Sequence, residues 1–490
     1  MGGTSWDGLL FEERAVGRLD RYLVFLIVFF ALVLYWPVLT TYFGGDDFFH
    51  FKVALRQAQG NFGILSAFGF YPFEARGIAF YRPLFREVTY NVFYSLFGLS
   101  ALPFRVLQMV LQMANILLVY KLALKLLKNK RTSFFSALFF GLTAANVGIL
   151  YYLAGGIQAM GATFFGLLSI LSFSNNKNLR AFVFFVLGLA SHEIALGVAF
   201  ILVGWKWVLE KKFVWQEYLG FGPYFVFLGI YLYLNFYVIG FSEAEAQYKL
   251  VFSIPKLANT LGWYMVWSLG LPEMTVDFVK SGLALDPRLM AMWGRYYVVI
   301  WPTFLGLGLL VLWQLLKNWK KLIAKKFILL VGWFVIGILP VLFLPMHKKT
   351  YYLAMSLPAF WMGVAYLTEK MKNGVFMVLM GLLIILNITS IKLAEKTYWA
   401  INRAKVAEKI LGDFDKENPG FGGKLIYVKN DPSYTIFSQE WGGTSRQAFY
   451  ALSGSDAWQL KYHDSGIIVF YEDLNERPSG KVADFVARLN

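Results

Sequence analysis

Apolar runs separated by short polar loops fill the chain up to about residue 391. They are Tyr22–Leu39, Pro103–Leu126, Thr132–Asn146, Leu150–Phe173, Ala181–Ala190, Ile194–Val208, Tyr218–Ile239, Tyr296–Leu316, Phe327–Pro345, Thr350–Leu367 and Gly374–Ile391. Most approach the ~20 residues that cross a bilayer as a helix, and the pattern predicts about eleven spans. Several are shorter, which thinning, packing or partial insertion must accommodate. Continuous rather than alternating runs exclude a β-barrel. Two stretches break the pattern, and both read as large loops on one face: 40–102 and 241–295. In the first, Pro83 suits the opening turn of a helix over Leu84–Leu96, ended by Gly98 and lying in the interface or half-inserted.

From Lys392 the pattern changes. An amphipathic helix, Lys396–Leu411, precedes strand-like runs at Lys424–Val428, Tyr434–Phe437 and Gly466–Phe470. The expected fold is therefore an all-α polytopic membrane domain over 1–391. A small extracytoplasmic α/β or α+β domain over 392–490 is expected to follow it, and no internal repeat is evident.

Composition agrees with this. Of 490 residues, 58% are hydrophobic and only 16% charged, with a mean hydropathy of +0.53. Soluble domains run nearer ~25% charged. The net charge of +16 is gathered in loops such as Lys125–Arg131, Asn175–Arg180, Glu210–Lys212, Lys317–Lys326 and Glu369–Lys372. That placement sets insertion orientation and removes the case for nucleic acid; with Arg14, Arg18 and Arg21 it puts the N-terminus in the cytoplasm. The first run ends in Trp-Pro and reads as a retained helix, and the absence of cysteine removes disulfides and thiolate chemistry.

On this topology the remaining ionisable groups collect at the outer face. Asp46, Asp47 and His50 follow the first span in Gly44-Gly45-Asp46-Asp47-Phe48-Phe49-His50, and on a helix the imidazole can meet either carboxylate. Arg82, Arg86, His192, Glu193, His347, Lys348 and Lys349 fall at outer ends or loops, with His463 in the C-terminal region. His347-Lys348-Lys349 stands against the charge rule. Cations at a membrane face suit a lipid-linked phosphate, and a carboxylate suits removal of a proton from an acceptor hydroxyl. Each also has a plainer reading: interfacial arginines snorkel, and Ser191-His192-Glu193 can cap a helix. Asp47 and His50, spaced i,i+3, could supply two metal ligands, so the cofactor is either a divalent metal or none. No nucleotide-binding loop or zinc-protease motif is present.

The ordered residues Asp46-Asp47, Tyr81-Arg82-Pro83-Leu84, Leu96–Leu99, Pro103-Phe104-Arg105, Gly188–Leu196 and His347–Leu353 resemble the GT-C superfamily of membrane glycosyltransferases, close to the protein O-mannosyltransferase-like members. His192 stands where those members carry a lysine. The resemblance covers residues 20–370 and implies inverting transfer of a sugar from a polyprenyl-phosphate donor to a protein, lipid or glycan hydroxyl outside the cytoplasm. Asp46, then Asp47, would be the general base or the group that positions the acceptor. Arg82, Arg86, His192, His347, Lys348 and Lys349 would hold the donor phosphate, with His50 and Glu193 alongside. Two other classes remain: a transporter or flippase of a lipid-linked sugar, which needs charge at mid-span, and a non-catalytic membrane scaffold. In the C-terminal region, Trp441 and Trp458 are candidate glycan-binding aromatics.

Overall fold

The computed structural model describes residues 18–57, 63–210, 214–240, 248–280, 282, 284–435 and 442–489. It is predominantly helical. Among the described residues, seven helical stretches are long and apolar enough to cross a membrane: Tyr22–Thr40, Ala101–Leu127, Leu153–Ser174, Trp215–Ile239, Arg288–Lys317, Lys325–Leu342 and Asn373–Glu417. On Arg288–Lys317, Leu305, Leu309, Leu312 and Leu316 are 61, 67, 51 and 67% exposed. Spaced four, three and four residues apart, they form one apolar stripe. A stripe of this kind faces lipid, because in water it would be an association surface. The molecule is an integral membrane protein.

Seven of the eleven expected runs fall in these stretches, and the other four form shorter helices. The runs at Thr132, Ala181, Ile194 and Thr350 fold as helices Lys130–Leu142, Asn178–Leu189, Val198–Leu209 and Leu357–Thr368, of 13, 12, 12 and 12 residues. At ~1.5 Å per residue each covers roughly 18–20 Å of a hydrocarbon layer about 30 Å thick. Two of them are preceded by 3-10 turns, Glu193–Gly197 and Thr350–Met355, which take up the rest of the apolar run. Lys130–Leu142 and Leu357–Thr368 pack against each other and are mostly buried, whereas Asn178–Leu189 lies against Leu153–Ser174 with Leu179 and Val183 exposed.

The two ends of the bundle differ in charge. At one end Arg131 Nη1 donates to Asn373 Oδ1 at 3.1 Å, Lys325 Nζ to the Trp207 and Glu210 carbonyls at 3.2 and 3.1 Å, and Lys321 Nζ to the Tyr366 carbonyl at 2.8 Å. The basic loops thus gather there. The first long loop folds at the opposite end into helix Asp46–Gln57, a π-helical turn Pro83–Val88 and helix Thr89–Phe97. Gly98, with φ +58°, ends the last of these as expected. The second loop contains helix Ile254–Leu269, and the span expected from Tyr296 begins at Arg288.

The change of composition at Lys392 falls inside helix Asn373–Thr397, which is followed by helix Trp399–Glu417. Beyond it strands β1 (Leu425–Asn430), β2 (Ile468–Tyr471) and β3 (Ala483–Ala487) form a parallel sheet in the order β2-β1-β3. Helices Thr444–Leu452 and Asp456–Lys461 connect β1 to β2. β3 has no counterpart among the expected strands. Of the run Tyr434–Phe437, Tyr434 and Thr435 are not strand, and the rest lies outside the described residues.

This C-terminal region is seated on the Asp46 helix. Gly45 N donates to the Ala451 carbonyl at 2.6 Å, Lys52 Nζ to Gln459 Oε1 at 2.7 Å, and Tyr94 Oη to the Leu460 carbonyl at 3.1 Å. His463 Nδ1 lies 3.1 Å from the same hydroxyl. The glycine pair makes the approach geometrically feasible. A Cβ on Gly44 would stand 2.8 Å from Ala404 N, and one on Gly45, whose φ is +52°, 2.9 Å from the Tyr450 carbonyl. We therefore expect Gly44→Ala to displace helix Trp399–Glu417 and cost about 1–3 kcal/mol by overpacking. Limited proteolysis in detergent should release the C-terminal fragment faster from this variant. Gly412→Ala, on the same helix with nothing within 4 Å of the added carbon, should leave the cleavage rate as it is.

Candidate functional site

The site begins with Arg105, fully buried near the start of helix Ala101–Leu127. Its Nε donates to the Thr41 carbonyl at 3.1 Å and its Nη2 to the Tyr42 carbonyl at 2.9 Å. Its Nη1 reaches the Leu150 and Tyr151 carbonyls, each at 3.3 Å, and Gln108 Oε1 at 3.1 Å. One guanidinium thus ties the backbone entering Gly44-Gly45-Asp46 to the backbone entering Tyr152. Tyr152 Oη in turn donates to Asp46 Oδ2 at 2.7 Å.

Asp46 and Asp47 occupy the first helical turn, where the helix dipole favours negative charge. Their surroundings differ. Asp46 lines a cavity of about 240 Å³ whose far wall includes Arg403 and Tyr450. Asp47 is 3% exposed, and its oxygens accept from Gly44 N at 3.0 Å and Tyr90 Oη at 3.4 Å. Burial raises the Asp47 pKa to about 6, against the lowering pull of Arg105 and the Gly44 amide. His50 does not meet either carboxylate as its spacing allows. Its Nδ1 lies 3.3 Å from Gln158 Nε2 and its ring packs edge-on to Tyr90, while burial and then Arg86 and Arg82 hold it neutral.

The Asp47 oxygens accept from Gly44 N and Tyr90 Oη, and His50 Nδ1 lies against Gln158 Nε2 rather than against either carboxylate. Among the described residues no group of three or more His, Asp or Glu side chains is placed to hold a metal ion.

Beyond Gln158 stands an ion pair. Arg82 Nε and Nη2 donate to the two Glu193 oxygens at 2.8 and 2.5 Å, and Nη1 donates to Gln158 Oε1 at 3.0 Å. Burial works against the Glu193 charge, but the Arg82 guanidinium outweighs it and holds its pKa at about 2. Ser191 does not cap the following turn. Its hydroxyl donates back to the Leu187 carbonyl, and the His192 Nδ1 accepts from Ile194 N at 3.3 Å instead. Burial and Arg82 lower the His192 pKa to about 3, so this imidazole is neutral. Arg86 is fully buried, with Nη2 2.6 Å from Glu87 Oε1, an oxygen that Arg76 also meets at 2.7 Å. This triad joins the π-helical turn to helix Phe73–Arg76 inside the loop.

His347, Lys348 and Lys349 come next in space. His347 Nε2 lies 3.2 Å from Tyr351 Oη, and burial followed by Lys349 lowers its pKa to about 4. Lys348 Nζ donates to Asn259 Oδ1 at 3.0 Å. Lys349 Nζ stands 3.9 Å from Glu273 Oε1 and 5.6 Å from the centre of the Trp399 ring. Glu273 Oε2 accepts from Thr350 N and Oγ1 at 2.8 and 2.6 Å, fixing this loop. A run of rings connects the groups: Trp399 to Tyr152 at 4.9 Å, Tyr152 to Tyr351 at 5.3 Å, Tyr351 to Tyr352 at 4.2 Å, and Tyr352 to His347 at 5.7 Å. Asp46, bonded to Tyr152, and Lys349, over Trp399, thus meet the same run of rings.

Tyr152, Glu273, Trp399 and Arg403 carry no mark in sequence, because each reaches the site from a distant helix. Trp458 is not a surface aromatic. It is fully buried against Phe414 at 4.7 Å and donates to Tyr471 Oη at 3.3 Å. Trp441 lies outside the described residues.

Two outcomes test this geometry. Arg105→Leu takes the donor from four carbonyls, those of Leu150 and Tyr151 being buried, and should cost on the order of 3 kcal/mol or more, read as a lowered melting temperature. Asp47 has a folded pKa above its ordinary 3.8, so the folded protein binds this proton more tightly than the unfolded chain. The resulting stability is full below about 4 and lost as pH rises through about 6, on the order of 3 kcal/mol for two pH units. Asp47→Asn removes that loss. The melting temperature of the variant minus that of wild type should therefore grow more positive between pH 4 and pH 7; an unchanged difference would count against a buried, protonating Asp47.

No family model matches the chain, and neither does any curated protein.

Proposed function

We propose that the protein is an integral membrane glycosyltransferase of the GT-C kind, moving a sugar from a polyprenyl-phosphate carrier to an acceptor hydroxyl on the extracytoplasmic face. The observation that carries this reading is the Asp46 carboxylate. One oxygen is oriented by Tyr152, and the group faces a cavity of about 240 Å³, with Lys349 over the Trp399 ring that packs against Tyr152. The gathering of basic loops at the opposite end supports the sidedness, since such loops stay in the cytoplasm.

In this reading Asp46 accepts the proton of the acceptor hydroxyl as its oxygen attacks the anomeric carbon. The bond from that carbon to the phosphate oxygen breaks on the opposite face, and the configuration inverts. Charge arriving on the polyprenyl phosphate meets Lys349 and Lys348. A developing anion is best stabilised by cations already fixed in place, as Lys349 is by Glu273 and Trp399. Arg82 acts through position: its guanidinium is saturated by Glu193 and Gln158, and it holds the Glu193 turn against the loop that carries His50.

The test is donor turnover in nanodiscs with radiolabelled polyprenyl-phosphate sugars and membrane-derived acceptors, with and without EDTA. Asp46→Asn should lower turnover about 10²–10⁴-fold, as expected for loss of a general base, while donor binding survives. Wild-type protein that consumes no donor but moves lipid-linked sugar across liposomes would replace the transferase with a transporter. Equal turnover by wild type and Asp46→Asn would remove Asp46 from the chemistry.

A further inference from the structure

The cavity beside Asp46 has a second charged wall that the proposed transfer does not use. Gly45, Asp46, Arg403, Tyr450, Ser453 and Gly454 line it, so the first loop supplies one side and the C-terminal region the other. The Arg403 guanidinium carbon lies 4.9 Å from the centre of the Trp399 ring and 5.5 Å from that of Tyr450. Stacking holds the flat faces of a guanidinium and leaves the donors along its edge for hydrogen bonding. Among the described residues no carboxylate pairs with Arg403 and no acceptor takes its N–H groups. Asp46, on the same cavity, is held by Tyr152 instead. Gly45 borders the guanidinium directly: a Cβ there would sit in van der Waals contact with Arg403 Nη1, at 3.6 Å. Tyr450 is 42% exposed, so the cavity reaches the surface.

A carboxylate and an unpaired guanidinium across one cavity match a ligand that carries a hydroxyl next to an acidic group. The guanidinium edge fits a carboxylate or phosphate with two parallel hydrogen bonds. Which reactant brings the acid follows from the geometry of displacement. In an inverting transfer the base works on the face of the reacting carbon opposite the leaving group. An anion sharing the base's own cavity therefore belongs to the attacking molecule. We propose that the acceptor is an acidic saccharide or phosphosaccharide, and that Arg403 binds its anionic group while Asp46 meets its hydroxyl. This rests on the transferase reading for the role of Asp46, but binding at Arg403 is measurable without any turnover.

The experiment is equilibrium binding to the full chain in nanodiscs, by saturation-transfer NMR. The probes are glucuronate, glucose 6-phosphate and glucose, with polyprenyl monophosphate as a separate arm. Wild type should bind the two acidic sugars about tenfold tighter than glucose, a margin typical of one charge-assisted fork. Arg403→Gln should erase that margin and leave polyprenyl monophosphate binding unchanged. Arg403→Lys keeps the charge without the fork and should keep part of the margin; it also serves if the glutamine variant fails to fold. Equal binding of acidic and neutral sugars by wild type, or no binding of either acid at tens of millimolar, overturns the proposal. So does a loss of polyprenyl monophosphate binding in Arg403→Gln, which would place the donor phosphate at Arg403. Because the lipid arm reports on the donor alone, its failure in wild type would count against the transferase reading separately.

Discussion

Arg105 is the constraint on which the arrangement of the site depends. A guanidinium with no solvent access must place its donors on protein, and here they are spent on backbone carbonyls from two separate chain segments. Backbone carbonyls cannot move independently of their neighbours. The clamp therefore fixes the entry to the Asp46 helix and the turn ahead of Tyr152 relative to each other. The 2.7 Å bond between Tyr152 and Asp46 is the consequence. A carboxylate oriented in this way keeps its direction when solvent or ligand changes, which is what a proton acceptor in a membrane-end cavity requires.

The charge surrounding that clamp is arranged so that most buried ions are matched at close range. Arg82 with Glu193, and Arg76 and Arg86 with Glu87, are pairs whose breaking would strand an uncompensated charge in low dielectric. These arginines are structural struts of the loop, and the cations left with fewer ties are Lys349 and Arg403, both against Trp399. The division separates residues that build the end of the bundle from residues free to meet a ligand. It is drawn by burial and pairing rather than by residue type.

Much of the membrane architecture is legible in sequence because a bilayer imposes length and polarity on each span separately. The seven long runs survive as helices, as does the stop at Gly98. The four short runs form helices of only 12 or 13 residues, and hydropathy alone does not say what surrounds them. Helices such as Lys130–Leu142 and Leu357–Thr368 are apolar because protein surrounds them, and hydropathy reads protein and lipid alike. The acidic pair is legible as well, since two carboxylates after a span stand out against so few charges. What His50 touches is not, because helix spacing offers it Asp46 and Asp47 whereas packing gives it Gln158, 108 residues away. Tyr152, Glu273 and Arg403 are invisible for the same reason: their roles exist only in contacts between distant segments.

The glycine pair ahead of the acids joins these two levels. In sequence Gly44-Gly45 reads as a loop at the end of a span. In the structure it is the socket for the C-terminal region, since side chains there would strike the backbone at Ala404 and Tyr450. Because Asp46 follows directly, the place where the C-terminal region can sit closest is also the place where the carboxylate is exposed to it. A cavity with one wall from each part is then forced by local chain geometry, and its second charge, Arg403, comes from the helix that the glycines admit. Had the loop carried side chains at these two positions, helix Trp399–Glu417 would stand farther out and Asp46 would face open solvent.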